Sequence, residues 1–348
     1  MGQLHGPYMT KGLRIRQATF ADQRKIFDFL GRGYGKQGQY KFPARWRWLF
    51  LDSPFRRGAR PSVWIALDQD AVVGQYCAMP VRMKLGERVL RGAWGIDFLV
   101  LPSYRGAGLG TLLMRSVYGQ FDFVASLWSS RASDHIKEKL GAKVVSAATE
   151  FVTRAAPLSA PDADCEIRLE PLRAFGAQTT RLWKASSGEY WGAVERSPAY
   201  LNWKFFSQPD TKYEALAAWR GAKLAGWIAF RLGQPPEPSI GLISEVFTAP
   251  GDVRAARALY ARASSELAKA GAVRVVAATS DATHAEALRS YGFAGRGEAK
   301  LFVHLGERLE SRDVPPGRRW LIGRGDSDWD QFPAALLAHG SLAGEPEQ

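Results

Sequence analysis

The sequence predicts an α+β protein, mixed α/β in character, built from two tandem copies of one fold. Each copy is expected to be a mixed, mostly antiparallel sheet flanked by helices. The chain has 348 residues, about twice the usual size of one domain, and its apolar content of 46% allows a sizeable core. Five features of the first half recur in the same order in the second half, at offsets of 148 to 155 residues.

Apolar periodicity defines the elements of the first half. Alternating apolar residues predict strands at 13–16, 63–67, 72–79, 94–101 and 123–128. Apolar residues at helical spacing predict helices at 21–30, 45–50, 108–118 and 133–140. A flexible, basic loop is expected at the glycine-rich segment 31–38.

The second half repeats this series. The recurring segments are 200–205 after 45–50, 215–230 after 64–79, 243–250 after 96–102, 273–278 after 123–127 and 291–293 after 140–142. The stretch 155–166, rich in Ala, Pro and Asp, has the composition of a linker. We therefore expect domains at 1–155 and 168–310, a linker at 156–167, and a C-terminal extension at 311–348 with a disordered end.

Charge is concentrated in the first half. The net charge is +13, and residues 1–150 carry 23 basic against 11 acidic side chains, whereas residues 151–348 carry 24 against 23. The excess is steepest in residues 1–62, with 13 basic against 3 acidic. A general preference for arginine would affect both halves alike, so this asymmetry favours an anionic ligand on the first half.

Several classes of protein are not expected. No apolar run approaches the roughly 18 residues that span a bilayer, and residues 1–10 lack a signal-peptide core, so a cytoplasmic location is predicted. Two cysteines form no disulfide framework, and five scattered histidines show no metal-ligand spacing. The segment Asp326–Asp330 mimics the start of a calcium loop without its Gly and distal Glu, so we expect a solvated turn there.

The strongest functional signal is the stretch VLPSYRGAGLGTLL at residues 100–113. A strand leads into a loop with three glycines, and a helix leaves that loop. Glycines allow close approach and positive φ, and the start of a helix directs free amide donors at an anion. Arg105 adds a cation, so the stretch predicts a pyrophosphate site made largely of main chain. A Walker-type loop would need Gly-Lys-Ser/Thr here, and a dinucleotide fingerprint needs a different glycine spacing.

At these residues the chain resembles the GCN5-related N-acetyltransferase (GNAT) superfamily. The coenzyme A loop of that family reads Arg/Gln-x-x-Gly-x-Gly/Ala, which Arg105, Gly108 and Gly110 match. The resemblance covers residues 13–152, with the second half a worn copy. It implies acetyl-CoA or a related acyl-CoA as cosubstrate, with no metal. The cofactor-binding residues that it implies are Leu99, Val100, Leu101, Arg105, Gly106, Ala107, Gly108, Leu109, Gly110, Thr111 and Ser130.

The resemblance also implies catalytic groups. Family members often use a carboxylate base on the strand before the loop, and Asp97 is the candidate there. The usual tyrosine acid is replaced by Lys137, which leaves Tyr104, Tyr118 or Ser130 as alternatives. After Pro250 the second copy has lost the loop glycines, so one coenzyme site per chain is expected.

Arg45, Trp46 and Arg47 are the predicted acceptor-binding residues, because basic residues interleaved with aromatics suit an anionic acceptor and this segment caps the acceptor site in the resembled fold. The predicted function is N-acetyl (or other N-acyl) transfer from acetyl-CoA to an amine of a small molecule or peptide. Two alternatives stay open. One is an aminoacyl or long-chain acyl transferase of tandem GNAT fold, with tRNA or an acyl carrier as donor. The other is a non-catalytic acyl-CoA sensor.

Overall fold

The computed structural model describes residues 9–10, 12–35, 43–56, 58–158, 167–209, 211–233 and 239–331. The strands of the first half are β1 (Met9–Thr10), β2 (Leu13–Gln17), β3 (Val63–Asp68), β4 (Ala71–Leu85), β5 (Arg88–Val100), β6 (Phe123–Ser126) and β7 (Lys143–Arg154). Its helices are α1 (Gln23–Tyr34), α2 (Ala44–Phe50), α3 (Leu109–Tyr118) and α4 (Arg131–Lys139).

The second half follows after residues 159–166, which include most of the predicted linker and lie outside the described residues. Its strands are β8 (Ile167–Pro171), β9 (Gly192–Val194), β10 (Glu214–Arg220), β11 (Lys223–Leu232), β12 (Ile240–Thr248), β13 (Arg274–Thr279), β14 (Ala294–Leu305) and β15 (Trp320–Leu321). Its helices are α5 (Ala177–Ser186), α6 (Pro198–Phe206), α7 (Val253–Lys269) and α8 (Ala282–Ser290). The C-terminal extension is described as far as residue 331, so its predicted disordered end falls outside the described part of the chain.

The two halves have the same order of elements. From β2 to β7 the chain runs β-α-α-β-β-β-α-β-α-β, and from β8 to β14 it repeats this order with the short β9 inserted before α6. The predicted α+β class and the predicted duplication are therefore confirmed. One prediction of detail is wrong: α1 does not end at Leu30, because its last turn runs through Gly31 and Gly33 to Tyr34.

The halves share one sheet and exchange their last strands. The strand order across the molecule is β1-β2-β3-β4-β5-β6-β14-β7-β13-β12-β11-β10-β8. Strand β14 of the second half pairs antiparallel with β6, and β7 of the first half pairs antiparallel with β13. Each half is thus completed by a strand from the other, so neither half closes its sheet by itself.

A pair of tryptophans joins the halves at equivalent positions. Trp48 on α2 and Trp203 on α6 stand 155 residues apart, and their rings stack with centroids 4.6 Å apart. Each indole N–H donates to the other residue's backbone carbonyl, at 3.0 Å and 3.1 Å. Both side chains are buried, so the pair belongs to the core.

We expect Trp203→Ala to lower the free energy of unfolding by about 3–5 kcal/mol, because it removes a buried ring and leaves the Trp48 carbonyl without its indole donor. Urea unfolding followed by tryptophan fluorescence and circular dichroism measures the loss. Trp219→Ala is the matched control, because Trp219 is only partly buried. An equal loss in both variants would show that the tryptophan pair does not hold the halves together.

The expectation of a solvated turn at Asp326–Asp330 is wrong. Residues 320–330, here called the C-terminal strap, lie buried between the halves, with Asp326 and Asp330 fully enclosed. Their carboxylates pair with Arg196 at 2.9 Å and with Lys204 at 3.2 Å. These cations lie more than a hundred residues earlier in the sequence, which is why local pattern predicted exposure.

Candidate active site

Two neighbouring strands of the first half separate to form a fork. Strands β5 and β6 pair in parallel from Gly92–Phe123 to Trp94–Ala125, and among the described residues no further pair continues this ladder. The opposite edge of β5 stays bonded to β4 as far as Val100. Residues 95–101, which include the predicted Leu99, Val100 and Leu101, therefore present backbone groups to the opening of the fork.

The predicted anion loop lies at the end of β5. Gly106 and Gly108 have φ of +82° and +79°, and a Cβ on either would meet nothing within 4 Å. Glycine is therefore needed at these two positions for the backbone conformation and not for close packing. Helix α3 starts at Leu109, and its first amide N–H groups are directed beyond the helix start, where an anion is favoured.

Two other glycines serve close packing. A Cβ on Gly110 would lie 2.9 Å from Cζ of Phe98, so Gly110 lets α3 rest against β5. A Cβ on Gly33 would collide with the side chain of Leu99, so the last turn of α1 also lies against this strand. Glycine at position 33 within the helix thus allows close contact with β5, which the sequence pattern did not reveal.

Two predicted cofactor residues already have local partners. Arg105 is exposed and its Nε donates to the Val100 carbonyl at 3.1 Å, which folds the side chain back onto β5. Ser130 follows β6 on the other arm of the fork, and its hydroxyl accepts the Ser133 amide at 3.3 Å as the N-cap of α4. The structure therefore places residues 99–111 from the end of β5 to the start of α3, and Ser130 at the start of α4.

Asp97 occupies a bulge on β5. Gln75 pairs with Leu99 and Cys77 with Ile96, so Asp97 and Phe98 together face a single residue of β4. Asp97 has φ of +50°, a left-handed conformation that few residues except Gly, Asn and Asp adopt readily. Its side chain is only 4% exposed.

Asp97 belongs to a buried ionic group. Its Oδ2 lies 3.3 Å from Nη1 of Arg45, and Nη2 of Arg45 lies 3.4 Å from Oδ2 of Asp328 on the C-terminal strap. The hydroxyl of Tyr34 lies among these residues. Burial raises the pKa of Tyr34 well above its usual value, the nearby Asp97, Cys77 and Asp328 raise it further, and Arg45 opposes them. Sequence reasoning missed both Tyr34 and Asp328.

The structure separates the three predicted acceptor residues. Arg45 is buried against Asp97 and Asp328, whereas Trp46 packs edge-on against aromatic rings of the core, among them Phe50 at 5.6 Å. Arg47 has a side chain 69% exposed and pairs with Asp52 at 3.3 Å. Consecutive residues of a helix point about 100° apart, so the three cannot share one face.

The groups considered for the proton donor are engaged elsewhere. Lys137 is buried, with its Nζ donating to the Ser129 hydroxyl and lying 3.2 Å from Asp134. Burial lowers the pKa of Lys137, and Asp134 opposes that shift. The Tyr104 hydroxyl donates to Asp68 at 2.6 Å. Tyr118 is buried and stacked on an imidazole ring.

A hydroxyl that sequence reasoning missed lies at the base of the fork. A Cβ on Gly95 would collide with the Tyr76 hydroxyl and would lie 3.1 Å from Oγ of Ser126. Gly95 and Ser126 directly follow the last paired residues of β5 and β6. Burial raises the pKa of Tyr76 to about 12, so this hydroxyl keeps its proton at neutral pH.

The equivalent fork in the second half is filled by the chain itself. The parallel ladder of β12 and β13 ends at Ile243–Ala277, and the strap enters beyond it. Gly323 forms an antiparallel bridge with Thr279, and the Ser280 amide donates to the Ile322 carbonyl at 2.9 Å. The strap therefore occupies the space between β12 and β13 that is equivalent to the opening between β5 and β6.

The start of α7 in the second half is also capped. The Asp252 carboxylate accepts the Ala255 amide at 3.1 Å, and it pairs with Arg220 at 2.9 Å. A carboxylate thus takes the position that an anion would occupy at α3. Among the described residues, no helix is both long and apolar enough to cross a membrane, and no group of three or more His, Cys, Asp or Glu is placed to hold a metal.

Comparison with known families gives one match. Residues 14–144 match a family model described as "Acetyltransferase (GNAT) domain". No curated protein matches the chain.

Solved structures of acyltransferases resemble the chain. A GCN5-related N-acetyltransferase from Anabaena variabilis aligns with a TM-score of 0.63 and 15% identity, over 84% of this chain and 72% of that one. A putative acetyltransferase from Pyrococcus horikoshii aligns with a TM-score of 0.58 and 14% identity, over 90% and 96%. N-myristoyltransferase from Saccharomyces cerevisiae with bound myristoyl-CoA aligns with 0.58 and 12%, over 86% and 84%. At these identities the likeness shows a shared fold, and it extends across both halves.

Proposed function

Residues 14–144 form a GNAT domain, and from that premise we propose that the protein is an N-acyltransferase that moves an acetyl or other acyl group from an acyl-CoA to an amine. The observation that carries the proposal is the fork between β5 and β6. It combines a stretch of β5 that does not pair with β6, a left-handed glycine loop and a helix start within one stretch of chain. The second half has its fork filled and its helix capped, which supports one donor site per chain.

The donor site is assigned to residues 95–111. Backbone groups of residues 95–101 suit the amides of a pantetheine arm, because a strand edge offers donors and acceptors at regular spacing. The amide groups of Leu109, Gly110 and Thr111 suit the pyrophosphate, with Gly106, Ala107 and Gly108 holding the loop open. Coenzyme A supplies the acyl group as a thioester.

The chemistry requires two proton movements. The amine must lose a proton as its nitrogen forms the new amide bond, and the thiolate that leaves must gain one. Asp97 is the residue that we assign to receive the amine proton, directly or through one water. Tyr76 is our candidate for protonating the thiolate, since its hydroxyl lies at the base of the fork and retains its proton.

The experiment that tests this function offers the purified protein acetyl-CoA and longer acyl-CoAs with a panel of cationic, neutral and anionic amines. We expect at least one amine to accelerate thiol release above the rate of hydrolysis, with the product identified by mass spectrometry. Amines of each charge are needed because the basic first half favours an anionic acceptor, whereas the structure places Asp97 and Asp328 beside the site. Acyl-CoA binding with no amine-dependent release would instead establish an acyl-CoA sensor.

A further inference from the structure

The C-terminal strap is anchored by buried charges from both halves. Arg196 holds Asp326 at 2.9 Å and Lys204 holds Asp330 at 3.2 Å. Arg324 of the strap reaches the other way, to Glu150 on β7 at 2.6 Å. Because removing one partner of a buried pair costs several kcal/mol, these contacts hold the strap in one register.

Between these ion pairs the strap places one charged side chain, Asp328, in the candidate active site. Asp328 lies 3.4 Å from Arg45, whose other terminal nitrogen lies 3.3 Å from Asp97. The neighbouring Trp329 stacks on Trp128 at 4.8 Å, next to the end of β6. The three charged side chains are 12%, 6% and 4% exposed, so solvent screens their interactions weakly.

The Tyr34 hydroxyl on α1 lies among charged or titratable groups from four other elements. They are Arg45 from α2, Cys77 from β4, Asp97 from β5 and Asp328 from the strap. A guanidinium close to a carboxylate favours its charged form, and a second carboxylate disfavours it. Arg45 pairs with both carboxylates. Its effect on the orientation and the charged form of Asp97 therefore depends on Asp328.

We propose that Asp328 is a positioning residue for Asp97: acting through Arg45, it sets the orientation and the proton affinity of the Asp97 carboxylate. The proposal rests on the proposed function for its catalytic meaning, since Asp97 matters to chemistry only if it receives the amine proton. It makes the C-terminal strap a part of the active site. The first half would then be incomplete without a segment that follows the second half.

The test measures the titration of Asp97 itself, so it needs no acceptor. Protein labelled with ¹³C at the aspartate carboxyl carbons is titrated by NMR, and Asp97→Asn identifies the Asp97 resonance. We expect Asp328→Asn to move the Asp97 midpoint to lower pH by about one unit, because the second carboxylate, which disfavours the charged form of Asp97, is then absent. Arg45→Gln should move it to higher pH, and Asp328→Glu should stay near the wild-type midpoint.

A purely structural role for the strap would not move these midpoints in opposite directions. An unchanged Asp97 midpoint in folded Asp328→Asn overturns the proposal. If Asp328→Asn and Arg45→Gln fail to fold, titration of the wild-type protein still tests the proposal, because two carboxylates that share one cation titrate as a coupled pair. The Asp97 and Asp328 resonances should then show common steps, and independent single steps overturn the proposal.

Kinetics separate this inference from the proposed function. Where turnover is found, the acid limb of the kcat/KM profile, which reports on the free enzyme, should move with the NMR midpoint in each variant. Coupled titration without any amine-dependent turnover keeps the positioning contact and rejects the acyltransferase. Turnover that needs Asp97 but shows an unshifted acid limb in Asp328→Asn keeps the acyltransferase and rejects the positioning role.

Discussion

Asp97→Asn is expected to lower kcat for amine acylation by about 10²–10⁴-fold, the range associated with loss of a general base. The affinity for coenzyme A should stay within a few-fold of wild type. The carboxylate lies on β5 beside the fork, whereas the residues assigned to the coenzyme phosphates lie in the loop at 105–111. The change therefore separates proton transfer from donor binding.

Asparagine is a suitable replacement at this position. Asn tolerates positive φ nearly as well as Asp, so the bulge at φ +50° can keep its shape. The amide also retains an oxygen that can accept from Arg45. A loss of activity in a folded Asp97→Asn protein then reports on the missing proton acceptor rather than on a collapsed strand.

Glu245→Gln is the matched control for this substitution. Glu245 stands 148 residues after Asp97, on the equivalent strand β12, and is likewise buried beside an arginine, Arg196 at 2.7 Å. Burial raises the pKa of Glu245 and the adjoining Arg196 opposes that shift, and glutamine keeps an oxygen that can accept from Arg196. We expect near-normal kcat in Glu245→Gln. Equal losses in the two variants, or an unchanged pH–rate profile in Asp97→Asn, would assign the proton to water or to another group.

Local sequence was sufficient to predict the elements on which the proposed donor site rests. Strand β5, the loop with Gly106 and Gly108, and helix α3 are consecutive, so the residues that interact are close in sequence and their spacing carries the signal. The duplication was equally visible, because each copy repeats a similar order of apolar segments. Each of these patterns is carried by residues that lie within about thirty positions of one another in the sequence.

The acceptor side of the site could not be predicted in this way. Arg45 meets Asp97 from 52 residues away and Asp328 from 283 residues away, and no local pattern encodes such partners. Basic residues near aromatics therefore suggested an exposed binding surface where the structure has a buried ion group. The filled second fork depends on the C-terminal strap, which includes the segment Asp326–Asp330 that was predicted to be a solvated turn. Tertiary pairing of distant charges determined both outcomes.

Ala107→Glu is expected to weaken coenzyme A binding by about tenfold or more, because it places a negative charge where the loop and the start of α3 favour an anion. Ala107 is exposed and lies between the two left-handed glycines without sharing their positive φ. The substitution therefore adds charge without the backbone strain that a side chain at Gly108 would bring. Calorimetric titration with coenzyme A measures the change.

Arg254→Glu supplies the control in the second half. Arg254 is exposed in the first turn of α7, the helix equivalent to α3, so the variant lowers the charge by two units, against one in Ala107→Glu, beside the fork that the strap fills. Ala256 would be a poor choice, since it is fully buried and a glutamate there would disrupt packing. We expect Arg254→Glu to bind coenzyme A within a few-fold of wild type. Asp252 already caps α7, so no coenzyme A phosphate is expected there. A loss of coenzyme A affinity in Arg254→Glu as large as that in Ala107→Glu would mean that both copies contribute to donor binding.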